Sequence, residues 1–128
     1  MDDKWYEAED LMEFKNWVVA GNVMEPYKYA FRIMNALFRN GYNVHGLHPL
    51  DIHEDVARNF SEIKDKVDVL NLCVNPERGI EIVKDARAHG VDKVLAQPGA
   101  RSSEIEEYCR NNGMAYVEGC TLVELGKL

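Results

Sequence analysis

The chain has 128 residues, 46% hydrophobic and 29% charged, with a net charge of -7 at neutral pH. That length suits one globular domain, 1–128, able to bury a core without disulfide or metal staples. The acidic balance argues against a surface built to neutralise nucleic-acid phosphates or to lie on an anionic membrane, and no apolar run approaches the roughly 20 residues of a membrane span.

The N-terminal stretch "MDDKWYEAEDLMEF" is acidic and amphipathic, unlike a targeting segment, and predicts a short helix over 3–13 that packs one side on the body. Residues 17–20 form an uninterrupted apolar run, the pattern of a strand buried on both faces. From Tyr29, the apolar residues Ala30, Ile33, Met34, Leu37 and Phe38 recur at helical spacing, and Gly41 supplies the stop. A second strand follows at 43–47. The segment 50–66 is less regular, and Val56, Phe60 and Ile63 suggest a short helix or a turn-rich crossover. "VDVLNLCV", 67–74, reads as a third strand, and a helix follows over 77–89 with Gly90 at its end. A fourth strand covers 93–96, and Ser102 or Ser103 caps a helix that runs to Asn112 and closes at Gly113. A fifth, short strand covers 115–117, and 120–125 is a last turn or helix. Strands separated by helices imply a parallel sheet in an α/β three-layer sandwich, with the expected order 3-2-1-4-5.

Ligands of such sheets bind beyond the C-terminal strand ends, where the strand order reverses. Four loops reach that edge, "GNVMEPYK", "HPLDIH", "NPER" and "QPGAR", and each contains a proline. A proline there also has an ordinary role, because helices often begin with one. Gly21 lets the backbone turn close to a ligand, and Pro26 near the helix start leaves free amide N–H groups for a phosphate. Lys28 either adds charge there or lies on a solvated helix face. Glu25 opposes an anion unless it points away. His48 either touches a phosphate or base edge, or is a turn histidine without such a role.

The G-x-G-x-x-G fingerprint is missing, because Asn22, Val23 and Met24 crowd its second glycine. The second strand ends in His48-Pro49, with Asp51 three residues past His48, so the acid that takes NAD ribose hydroxyls is out of place. No histidine or cysteine pair has metal-ligand spacing, and Cys120 reads first as a small buried hydrophobe and second as a reactive thiol. No Walker A, G-x-S-x-G or H-E-x-x-H motif occurs, and no acid, base and nucleophile set is readable.

Four blocks carry a family resemblance: "WVVAGNVMEPYKYAFRIMNAL", "GYNVHGLHP", "VDVLNLCVNPE" and "VLAQPGARSSEIEEYCRNNGMAYVEGCTLVE". In this order and spacing the chain resembles the small stand-alone CoA-binding proteins. Their Rossmann-like domain is also found at the N-terminal end of the succinyl-CoA synthetase α subunit. The resemblance implies that CoA crosses the C-terminal strand edge. Its phosphates would meet Gly21, Asn22, Pro26, Lys28 and Tyr29, with the nucleotide end near His48 and Pro49. Further contacts would come from Val74, Asn75, Pro76, Gln97 and Gly99. The chain departs from the pattern at Asn22-Val23, where many members carry Ala-Ser, and at His48, where they carry Asn. Relatives often have basic residues at the positions of Val74 and Asn75.

The leading expectation is a binder of coenzyme A or an acyl-CoA without an evident reaction of its own. Two others stand beside it: an NAD(P)-type redox or sensor domain, and an interaction module whose pocket is vestigial. An enzyme in its own right ranks below all three.

Overall fold

The computed structural model describes residues 6–128. The expected N-terminal helix shortens to α1 (Ala8–Leu11), and the part of the prediction at 3–5 lies outside the described residues. The chain then alternates: β1 (Asn16–Ala20), α2 (Tyr29–Arg39), β2 (Asn43–Leu47), β3 (Val56–Ala57), β4 (Val69–Leu72), α3 (Pro76–Ala88), β5 (Lys93–Ala96), α4 (Ser103–Asn111), β6 (Ala115–Glu118) and α5 (Thr121–Leu125). All strand pairs are parallel, and the order is β3-β2-β1-β4-β5-β6. The arrangement 3-2-1-4-5 is therefore present, with a sixth strand at the end.

The third place is filled by β3, in the segment expected to be a turn-rich crossover. The run 67–74 supplies β4, beside β1. β3 is two residues long and pairs with Gly46 and Leu47, and a 3₁₀ turn follows at Phe60–Glu62. Val56 and Phe60 are buried, as their apolar character implied.

Strand side chains alternate between two cores. Val18, Ala20, Leu70 and Leu72 face α3 and α4, through Ile80, Val83 and Ile105. Trp17, Val19, Val69 and Leu95 face the layer that holds α1, α2 and α5, through Leu11, Ile33, Leu37 and Leu125. Burial on both faces is why the strands read as unbroken apolar runs. Trp17 anchors the second core. It is fully buried, meets Tyr42 edge-on at 6.0 Å and donates its indole N–H to the Phe14 carbonyl at 2.7 Å. Gly41 and Gly90 follow α2 and α3 at φ of 86° and 85°, the left-handed stops that the spacing predicted.

This layering builds a crevice. The crossover after β1 leads toward β2, and the connection after β4 leads toward β5 on the other side. The loops after β1 and β4 therefore part company at the C-terminal edge, where parallel sheets hold ligands.

Candidate functional site

A cleft of about 570 Å³ opens at this switch point, lined by residues from four strand ends and the helices that follow them. That volume lies in the usual range for small-molecule sites, roughly 300–1,000 Å³. Of the residues expected at the ligand, Asn22, Lys28, Tyr29, His48, Val74, Asn75 and Gly99 line the cleft. Gly21, Pro26, Pro49, Pro76 and Gln97 are not among its walls.

Gly21 has a packing reason of its own. At φ 155° an added Cβ would lie 2.9 Å from both the Ala30 Cβ and the Cys73 carbonyl oxygen. The glycine thus lets the start of α2 seat against the ends of β1 and β4, which brings the α2 N-terminus to the cleft. Pro26 stands three residues before α2 begins. Pro76 is the first residue of α3, the ordinary place for a proline at a helix start. Pro49 borders a neighbouring depression with Arg58 and Asp85. Gln97 is fully buried. It donates to Asn71 Oδ1 at 2.9 Å and to Thr121 Oγ1 at 3.0 Å, and its carbonyl accepts the Thr121 N–H at 3.2 Å.

The N-termini of the three long helices differ. Asn75 caps α3 by accepting the Arg78 N–H at 3.0 Å, and Ser102 caps α4 by accepting the Glu104 and Ile105 N–H groups at 3.1 and 3.3 Å. Lys28 makes no side-chain capping bond to α2, and the first turn of α2 holds no acidic residue. The amide donors of that turn open on the cleft, where the helix dipole adds positive potential. Lys28 and Arg78 stand at the same cleft, so this acidic chain concentrates two cations there. Glu25 is an exposed side chain that does not line the cleft; it lies on an adjoining shallow depression with Met24, Leu50 and Ile52 that shares Asn22 and His48 with the cleft.

His48 closes the β2 side. Its Nδ1 accepts the Leu50 N–H at 3.1 Å, which leaves Nε2–H as the donor of the neutral ring. Asp51, the residue an NAD site would need, instead accepts the His53 N–H at 2.7 Å and lies on the shallow depression.

Sequence reasoning missed Cys73, Ala30, Arg78 and Pro98 as cleft residues. Arg78 had a readable signal, since it falls in the first turn of the helix that opens with "NPER". On the β5 side, the Tyr29 hydroxyl and the Cys120 Sγ are hydrogen-bonded at 2.7 Å. That bond, before burial, pushes the Tyr29 hydroxyl up to about 12, so it keeps its proton near neutrality. Burial pushes the Cys73 thiol up to about 11, with the nearby Cys120 adding to the effect. Among the described residues, no group of three or more His, Cys, Asp and Glu side chains could hold a metal ion. No helix among them is long and apolar enough to cross a membrane.

The fold and cleft define a Rossmann-like nucleotide-binding domain of the CoA-binding class. The chain belongs to the CoA-binding domain family, whose pattern it matches over residues 15–126. It is similar to a conserved hypothetical protein from Pyrococcus furiosus at 31% identity, with a TM-score of 0.78 over 87% of this chain and 99% of the other. A hypothetical protein from Pyrococcus horikoshii shares the fold at 22% identity, with a TM-score of 0.84 and 99% of both chains covered. The fold also recurs in a dinucleotide forming acetyl-coenzyme A synthetase 1 from Ca. Korarchaeum cryptofilum, solved with phosphate and ADP. That match has 21% identity and a TM-score of 0.64 over 84% of this chain and 27% of the larger one. No curated protein matches the chain.

Proposed function

We propose that the cleft binds coenzyme A or an acyl-CoA as a non-catalytic receptor. The observation that carries this reading is the N-terminus of α2, left without a side-chain cap where Lys28 and Arg78 supply positive charge. Its amide donors would hold the diphosphate, the nucleotide end would lie toward His48, and the pantetheine arm would run past Val74 and Asn75 toward Gly99. Arg78 would replace the positive charge that relatives carry at the positions of Val74 and Asn75. Family membership supports a CoA-type ligand; its identity as CoA is our reading, as are kinship with the succinyl-CoA synthetase α subunit and a cytoplasmic setting. The exposed side chains of Tyr27, Leu50 and Ile52 favour a second reading, a protein-interaction surface beside the cleft.

Thermal melting in the presence of CoA, dephospho-CoA and NAD tests the proposal. CoA at a hundredfold over its Kd would add about 2.7 kcal/mol to stability. We expect a rise in Tm with CoA, a smaller rise with dephospho-CoA and none with NAD. No rise with any of the three would reject the proposal in favour of the interaction surface.

A further inference from the structure

One cysteine lines the cleft and a second lies just behind its wall. Cys73 follows β4 and lines the cleft directly. Cys120 follows β6 and lies one hydrogen bond behind the Tyr29 ring, which also lines the cleft. The chain folds back after β6 and brings Cys120 toward the end of β4, near enough for its charge to act on Cys73. Thr121 reaches over β5 to hydrogen-bond Asn71, which shares its strand face with Cys73 two residues on. Cys109, by contrast, is fully buried in α4 under the opposite face of the sheet.

The sheet order sets a direction. His48 leaves β2 and Cys120 leaves β6, with β1, β4 and β5 between them. Two strand spacings, about 10 Å, separate the β2 end from the β4 end, toward which Cys120 folds back. A ligand held by its nucleotide at His48 and by its diphosphate at α2 therefore carries its far end toward the thiols. On the reading given above, that far end is itself a thiol.

We propose that Cys120 and Cys73 form a two-cysteine exchange site that accepts the disulfide form of the nucleotide-linked thiol bound in the cleft. This rests on the CoA-binding reading. In the first step the Cys120 thiolate attacks one sulfur of the ligand disulfide. The ligand S–S bond breaks, a protein–ligand disulfide forms, and the departing thiolate takes up the proton that Cys120 gave away. The Tyr29 hydroxyl, which stays protonated, donates a hydrogen bond to the attacking sulfur. In the second step Cys73 gives up its proton and attacks Cys120 Sγ; the protein–ligand S–S bond breaks, an intrachain disulfide forms, and the second ligand thiolate takes up that proton and leaves as a thiol. Two protein thiols are oxidised and one ligand disulfide is reduced to two thiols. Cys120 attacks first because its Sγ already shares a hydrogen bond with the Tyr29 hydroxyl at 2.7 Å, whereas burial disfavours ionisation of Cys73 until a mixed disulfide stands beside it.

The test treats the reduced protein with CoA disulfide, with glutathione disulfide in parallel, and follows it by intact mass and peptide mapping. Wild-type protein should release two CoA thiols and end with a Cys73–Cys120 disulfide. Cys73→Ser should stop with one CoA held on Cys120, and Cys120→Ser should do neither. Alanine versions of both substitutions keep a folding defect in one variant from deciding the result. CoA disulfide should react at least about tenfold faster than glutathione disulfide, the gain expected from holding the reactant in place. Equal rates, modification at Cys109, or a wild-type adduct as long-lived as that of Cys73→Ser would overturn the proposal. The Cys73→Ser/Cys120→Ser double variant separates the two readings. If CoA still raises its Tm while wild-type protein gives no exchange, the cleft reading stands and the thiol site falls; if CoA raises neither Tm, both fall.

Discussion

The N-terminus of α2 and those of α3 and α4 solve the same problem in opposite ways. All three helices present amide donors at the C-terminal edge of the sheet. In α3 Asn75 accepts one of those donors and in α4 Ser102 accepts two. In α2 no side chain does so, and the nearest ones bring cations to the cleft. A capped helix end is finished as structure, whereas an uncapped one beside a cleft has its polar demand left over for a ligand.

The contrast can be broken or sharpened by substitution. The largest effect is expected for Gly21→Val, because the new side chain would clash with Ala30 and the Cys73 backbone. Overpacking and an unfavourable φ together should cost about 3–5 kcal/mol, and α2 should be displaced from the cleft. Urea unfolding should show the loss, and the melting shift with CoA should vanish.

Arg78→Ala should leave the apo midpoint within about 0.5 kcal/mol while weakening CoA binding by about 1.5–3 kcal/mol, the worth of a charge-assisted hydrogen bond. Calorimetric titration would measure it, and unchanged affinity would place the phosphates elsewhere. Asn75→Ala removes a finished cap and should cost about 1 kcal/mol of stability in a denaturant melt. Lys28→Asp does the reverse at α2. It supplies the missing cap, so apo stability should rise by less than about 1 kcal/mol while the CoA-induced shift is lost. A variant more stable without ligand and deaf to it would be the sharpest form of the comparison.

Alkali should act on both faces of the sheet, since Cys73 packs on one and Cys109 on the other. Burial raises the Cys73 thiol to about 11 and the Cys109 thiol to about 12, from an ordinary value of 9.0. Above pH 9 the unfolded chain loses these protons first, so stability is intact below 9 and falls as the pH climbs toward 11 and 12. Urea midpoints at successive pH values would show the decline, and Cys109→Ala should make it shallower, leaving the share of Cys73.

The sheet was legible because its strands are buried on both faces and end at glycines or prolines. Residues 17–20 and 93–96 needed no more than that. β3 was not legible, since two residues carry no period. The four loops at the ligand edge were legible from Gly21, Pro49, Pro76 and Gly99, which mark turns, but marking a turn does not place a side chain. Arg78 reaches the cleft because α3 starts at Pro76, which sets Arg78 in the first turn. Cys73 faces it through the parity of β4, shared with Asn71. Gln97 was expected at the ligand from the family resemblance alone, and the partner that buries it, Thr121, lies 24 residues away, beyond any local pattern.

That buried amide sets how the last third of the chain must align. Asn71, Gln97 and Thr121 satisfy one another in a fully desolvated site, apart from Asn71 Nδ2, which has no partner among the described residues. A slip of β5 by one residue would swing Gln97 to the opposite face of the sheet and strand its companions, at about 1–3 kcal/mol for each orphaned group. The trio thus acts as a key with one fitting lock: when it engages, the Pro98–Gly99 corner can arrive at the mouth of the cleft in one position and no other.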